Sequence, residues 1–300
     1  MKLSVVVITY NEEANIGRTL ASVLPLVADG KGEIIVVDSG STDRTVEIAK
    51  SHGAKVFVEE WKGYAAQKNS AIDKASGDWI LSLDADEEVG RDLVDEIRLL
   101  FTSPGPDQAA QMAHLQKIRY TFPALREFKR IATRVAKEKG ITETGVFATV
   151  TGYWVRRKNE FLGHWIKHGG FWPDPKLRLF RKGMARFEDR AVHEDAHLIE
   201  GISGQLKGTI LHHSYPTLAD YLDHMNRYSS LGADMLAAKG RVRFSAFNIV
   251  VRPAATFLYN YVFRLGFLDG RAGLLLHLYH AAYVSWKYAK AWELSRPLNK

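Results

Sequence analysis

Short apolar runs and stretches of helical periodicity alternate along the first ninety residues. Leu3 to Thr9 is a β-branched run that predicts a buried parallel strand. Ile16, Leu20, Val23, Leu24 and Val27 then recur at helical spacing, with Asn11 the expected N-cap and Gly30 and Gly32 closing the helix. Glu33 to Asp38 and Ala54 to Val58 predict two further strands around a helix from Thr45 to Ser51. A helix from Ala65 to Ala75 leads through Gly77 into a fourth strand, Trp79 to Leu83. This order of strands and helices predicts an open α/β sheet, whose ligands sit beyond the carboxyl ends of the strands. Tyr10, Asp38 and Asp84 all fall at those ends.

The fourth strand runs straight into carboxylates at Asp84, Asp86, Glu87 and Glu88. Unpaired charge is costly to desolvate, so packing alone does not account for them. Crowded carboxylates suit a hard divalent cation such as Mg²⁺ or Mn²⁺ that bridges substrate phosphates. They also suit a helix N-terminus, where acids complement the dipole. Asp84 and Asp86 are assigned to the first role, and Glu87 and Glu88 mostly to the second. Asp43 is expected to cap the helix after the second strand.

Beyond Thr102 the pattern changes. Pro104-Gly105-Pro106 breaks the chain, and a basic segment follows to about Ala148, with Phe128, Ile131 and Val135 at helical spacing. This insertion, about 103–148, is expected to form an amphipathic helix, either lying on anionic lipid or packed on the domain. Aromatic, Gly and His residues crowd 152–174, and Lys176 to Arg181 alternates as a strand does. There Arg178 and Arg181 either bind phosphate or flank the strand. Tyr221 onwards is helical, and 241–290 reads as a helical hairpin divided at Gly266 to Gly270, each half too polar to span a bilayer comfortably. Its Trp, Tyr, Lys and Arg residues favour a membrane interface, while packing on the main domain is the alternative.

Composition narrows the classes. The chain has 300 residues, 46% hydrophobic and 25% charged, as an ordinary globular protein does. Without cysteine, disulfides and thiolate metal sites are excluded. A net charge of +7 and a pI near 9.4 point to an anionic partner. Nucleic acid is disfavoured because no recognised motif accompanies the charge. The N-terminus carries no signal pattern, so a cytoplasmic protein is expected, either free or peripheral on the inner face of the plasma membrane.

Three segments carry a resemblance. Val5 to Glu12 (VVVITYNE), Val36 to Asp43 (VVDSGSTD) and Leu81 to Glu87 (LSLDADE) resemble, in order, the signatures of family 2 glycosyltransferases, which have the GT-A fold. The resemblance implies an inverting transferase that uses a nucleotide-diphosphate sugar and Mg²⁺ or Mn²⁺. By position, Thr9 and Tyr10 would line the nucleotide pocket, Asp38 would hydrogen-bond the base, and Lys68 would sit near the nucleotide. Lys68 also reads as a solvated helix residue. Asp84 would approach the ribose, and Asp86 would ligate the metal. Residues 152–228 and 252–273 resemble a narrower branch, lipopolysaccharide-core glycosyltransferases. In that branch Glu194, within Val192-His193-Glu194, matches the general base, with Asp195 and Asp189 as alternatives. His212 follows an apolar strand and either reaches the diphosphate or metal or is structural. The expected division is a GT-A domain over 1–218 and a helical region over 219–300, with a saccharide or lipid-linked acceptor. A sugar-nucleotidyl transferase is disfavoured by Thr9-Tyr10-Asn11-Glu12-Glu13, which stands where a Gly-rich phosphate loop belongs. A non-catalytic sugar-nucleotide or glycan-binding protein is the remaining alternative.

Overall fold

A computed structural model describes residues 1–28, 30, 32–102, 150–188, 195–240 and 242–296. The basic insertion, Asp189 and Glu194 lie outside them. Four parallel strands, β1 (Leu3–Thr9), β2 (Gly32–Asp38), β3 (Lys55–Val58) and β4 (Trp79–Asp84), stand in the order β3-β2-β1-β4. β1 is buried along its whole length because helices cover both faces of the sheet. α1 (Ile16–Val27), α2 (Thr45–Ser51) and α4 (Arg91–Thr102) place Leu20, Ala49 and Leu93 on the face bearing Val5 and Val7. α3 (Tyr64–Lys74) places Ala71 and Ile72 on the face bearing Val6 and Ile8. The winding therefore reverses between β1 and β4, and a crevice opens at their carboxyl ends.

β5 (Glu87–Val89), β6 (Val150–Phe161), β7 (His164–Trp165), β8 (Asp174–Arg181) and β11 (Ile202–Tyr215) complete a mixed sheet, in which β8 runs antiparallel to β4. β9 (Ala185–Phe187) and β10 (Ala196–Leu198) form a separate antiparallel pair. Gly208 lets β11 approach α4 closely, since a Cβ there would lie 2.3 Å from Leu93 Cα.

The described residues fall into two units. The first takes in residues 1–102, 150–156, 175–188 and 195–210, and the second 157–174 and 211–296. In the second unit α5 (Leu218–Ala237) begins with a capping box between Thr217 and Asp220. The hairpin follows: a limb of π- and α-helical turns over 247–263, whose central α6 is Arg252–Leu258, then a 3₁₀ turn, Gly266–Asp269, and α7 (Gly270–Leu294). Phe161, Tyr221, Ala272 and Leu276 form this unit's core. Among the described residues no helix is long and apolar enough to cross a membrane.

Glu33 ties the base of the sheet together. Its Oε1 accepts from Ser4 Oγ at 2.8 Å and from Ser76 N and Oγ at 2.6 Å, and its Oε2 from Lys55 Nζ at 2.8 Å. Burial opposes the charge, but the bonds from Lys55, Ser76 and Ser4 outweigh it and hold the pKa at about 2. A depressed carboxyl stabilises fully above its unfolded pKa, and the contribution fades as pH falls from about 4.5 to about 2. Glu33→Gln is expected to lose about 2 kcal/mol at neutral pH, allowing for the exposed Lys55 partner, and less at pH 3. Thermal melts of both proteins from pH 7 to pH 3 measure this. An equal Tm gap at every pH would overturn it.

Candidate active site

The crevice is built by three loops that bond to one another. Asn11 is not the cap of α1, which begins at Ile16 after Asn15. It adopts a left-handed φ of 53° that Asn tolerates, and its Oδ1 accepts from Thr42 N at 2.8 Å. Glu12 N donates to Thr45 Oγ1 at 2.7 Å and Glu13 N to Asp43 Oδ2 at 3.1 Å, which joins the loops after β1 and β2. Asp43 also accepts from Thr45 N at 3.0 Å, but the N-cap position of α2 is Arg44, so Asp43 stands one residue before the cap expected of it.

Asp38 is buried, and its carboxylate holds its own turn. Oδ2 accepts from Gly40 N at 2.9 Å and Ser41 N at 2.8 Å, and Oδ1 accepts from Ser41 Oγ. A carboxylate offers about four lone-pair positions, so this turn occupies most of them. Thr9 is buried at the neighbouring strand end, and its hydroxyl has no hydrogen-bond partner among the described residues. Tyr10 is 57% exposed. Ser39 Oγ and both amide atoms of the fully buried Gln67 on α3 are likewise unpartnered among the described residues. Leaving such groups unmade costs about 1–3 kcal/mol each, which a polar ligand can relieve.

At the end of β4 the acids separate by role. Lys68 is buried, not solvated; its Nζ lies 2.7 Å from Asp84 Oδ1 and 5.0 Å from the centre of the Phe187 ring. Arg178 Nη2 donates to Asp84 Oδ2 at 2.7 Å and to Glu87 Oε1 at 2.5 Å, while Asp84 N donates to Glu87 Oε2 at 3.0 Å. Glu87 therefore does not start a helix. It lies on β5, 0% exposed, and α4 begins only at Arg91. Burial works against the Arg178 charge, but Glu87 and Asp84 more than offset it and push its pKa up. Arg181 is exposed, with its guanidinium 5.4 Å from the Trp79 ring centre. The sequence leaves both Arg178 and Glu87 ambiguous; charge set within or beside an apolar strand is the only local signal.

Asp86 occupies the half-buried turn between β4 and β5. That turn is fixed from α1, where Thr19 Oγ1 donates to Ala85 O at 2.6 Å and Ser22 Oγ accepts from Val89 N at 3.0 Å. Burial, with the charges of Asp86, Asp43 and Asp84, pushes the nearby Glu12 carboxyl up despite its bond from Asn15. The mouth of the crevice is thus negative, and hard oxygen donors there suit Mg²⁺ or Mn²⁺. Among the described residues no group of three or more His, Cys, Asp or Glu side chains forms a metal cage. A cation held by Asp86 would take its other ligands from phosphates and water, as Mg²⁺ commonly does.

The segment leading towards residue 194 is tied to α3. Asn69 Nδ2 donates to Phe187 O at 2.9 Å, and Phe187 N donates to Asn69 Oδ1 at 3.1 Å. Asp195 is paired with Lys176 at 3.1 Å. In the second unit His212 Nδ1 lies 2.7 Å from Asn159 Oδ1 and 2.9 Å from Ser214 Oγ. Asn159 Nδ2 points to Asp174 Oδ2 at 3.4 Å, which sets the amide orientation.

A doubly wound sheet with a carboxylate turn at its switch point and a C-terminal helical region is the architecture of GT-A glycosyltransferases. A mannosyltransferase from Pyrobaculum calidifontis, solved in complex with GDP-Man and Mn²⁺, shares the fold with a TM-score of 0.51 at 16% identity, over 97% of this chain and 86% of that one. The family model for glycosyl transferase family 2 matches residues 4–184, and the chain belongs to this family of glycosyltransferases. An uncharacterized glycosyltransferase of Rickettsia typhi is 30% identical over 98% of this chain and 88% of its own length. The lipopolysaccharide core biosynthesis glycosyltransferase LpsC of Rhizobium meliloti is 26% identical over 98% of this chain and 93% of its own.

Proposed function

We propose that the enzyme transfers a sugar, with inversion at the anomeric carbon, from a nucleotide-diphosphate donor to a hydroxyl of a saccharide or lipid-linked glycan. The setting would be cell-envelope polysaccharide synthesis, lipopolysaccharide core in particular, as the name of the Rhizobium relative suggests. The observation that supports the donor assignment is the β4 end, where Lys68 and Arg178 fix Asp84 and Asp86 sits in the adjacent half-buried turn.

In this reading Thr9, Tyr10 and the turn held by Asp38 receive the nucleoside, and Asp84 meets the ribose. Lys68 adds positive charge behind Asp84. Asp86 holds a divalent cation whose other ligands are the donor phosphates and water. When bound, that cation acts as a Lewis acid on the departing diphosphate. Glu194 takes the proton of the acceptor hydroxyl. The acceptor oxygen forms its bond to the anomeric carbon as the bond to the diphosphate oxygen breaks, so one displacement inverts the centre. Asp195, the alternative, is paired with Lys176.

Thermal shift against UDP, GDP and their sugars, with and without Mn²⁺, tests the donor half. Metal-dependent stabilisation by one nucleotide is expected. NMR of the product from an α-linked donor should show a β-linkage. No stabilisation by any nucleotide, or a retained configuration, would overturn the proposal.

A further inference from the structure

More than half of the large apolar side chains that stand exposed among the described residues fall between 244 and 278, on the helical hairpin. The first limb is apolar on two sides. Its inner side is packed, with Pro253 buried, Ser285 Oγ on α7 donating to Ile249 O at 2.8 Å, and Tyr261 6.2 Å from the His277 ring. Its outer side presents Phe247, Val251, Leu258 and Val262 at helical spacing, all exposed, and Phe263 at the tip is 71% exposed. Phe267 and Leu268 continue the patch around the turn. Water-soluble surfaces rarely leave so long an apolar stripe open.

The charges beside this stripe have one sign. Arg243, Arg252, Arg264 and Arg271 are exposed. The only carboxylate between 242 and 278 is Asp269, whose side chain is 6% exposed. It is taken up by His168, at 2.8 Å from the backbone N and 2.9 Å from Nδ1. A second copy of this chain is a poor cover for the stripe. A two-fold contact would bring these arginines against their own images with no exposed carboxylate from this stretch between them.

We propose that the outer face of the limb over 247–263, together with the tip at Phe267 and Leu268, lies in the interfacial layer of an anionic bilayer. Its apolar side chains enter the acyl boundary, and Arg264 and Arg271 meet lipid phosphates. The proposal needs neither donor nor acceptor, so it stands or falls apart from the transferase reading.

Co-sedimentation of the full chain with phosphatidylcholine vesicles, with and without phosphatidylglycerol, tests it. Binding is expected only with the anionic lipid. Arg264→Gln with Arg271→Gln should weaken it by about fivefold per arginine. Leu258→Ser with Phe263→Ser should abolish it, with circular dichroism and Tm showing that the variant is folded. The chain has no cysteine, so Phe263→Cys accepts a single environment-sensitive thiol dye at the tip. Its emission should shift to the blue on vesicle binding and be quenched by brominated acyl chains. Absence of pelleting with every vesicle would overturn the proposal. So would vesicle binding without a shift of the dye, or a concentration-dependent dimer in light scattering that Leu258→Ser with Phe263→Ser disperses.

Discussion

Arg178→Met is expected to destabilise the protein by about 3–5 kcal/mol and lower its Tm by roughly 10 °C. The reason is an orphaned charge more than a lost attraction. Asp84 would keep its bond to Lys68, at 2.7 Å, but Glu87 would lose the guanidinium that lies 2.5 Å from its carboxylate. Glu87 is 0% exposed, so water cannot take the guanidinium's place. The second substitution sharpens the test. Glu87→Gln removes the charge while its amide oxygen still accepts from Asp84 N, a bond of 3.0 Å in the native protein. Arg178→Met with Glu87→Gln should therefore recover most of the stability lost by Arg178→Met alone. Thermal and urea denaturation of both single variants and the double variant give the coupling. An Arg178→Met variant as stable as the native protein, or a double variant no better than that single one, would remove the ion pair from the account.

That network also shows where the sequence stops being legible. β1, β2 and β4 can be read within a residue or two because a strand covered on both faces must be an apolar run, and the pattern is local; β3, an edge strand, is read from its β-branched and aromatic residues. α3, α5 and the hairpin follow from periodicity in the same way. Glu87 does not, because its role depends on Arg178, 91 residues later. A carboxylate after a strand looks the same whether it starts a helix or enters a three-residue strand beside a buried guanidinium. Asn11 misleads for a related reason. Asn suits both a cap and a left-handed turn, and only the position of Thr42 on the neighbouring loop decides between them.

The site is legible to a similar depth. Asp84, Asp86, Asp38 and Lys68 stand out because charge at strand ends or on a helix's buried face conflicts with packing. The structure adds what conflict alone cannot give, namely which charges already have protein partners. Asp38 is taken up by its own turn and Asp84 by two cations. Gln67 is silent in the sequence because an amide among Ala65, Ala71 and Ile72 reads as an ordinary helix residue until both of its polar atoms are found without a partner among the described residues.

Asp86→Ala is expected to separate activity from stability. In the proposed mechanism Asp86 holds the cation on the diphosphate. Losing that hold removes several kcal/mol of transition-state stabilisation, or about a thousandfold in transfer rate. Stability should move the other way or not at all. Burial and then the charges of Asp86, Asp43 and Asp84 raise the Glu12 carboxyl, so Asp86 adds repulsion to a crevice that is already negative. The turn itself is held through Ala85 O and Val89 N, which are backbone groups that the substitution leaves in place. The expected signature is a Tm equal to or above the native value, loss of transfer, and loss of the Mn²⁺-dependent part of nucleotide binding in calorimetry. Residues that give up stability for function behave in this way, whereas a merely structural acid would show the reverse, a lower Tm with transfer retained in the folded fraction. Native turnover by Asp86→Ala would refute the metal role even if the protein proved more stable.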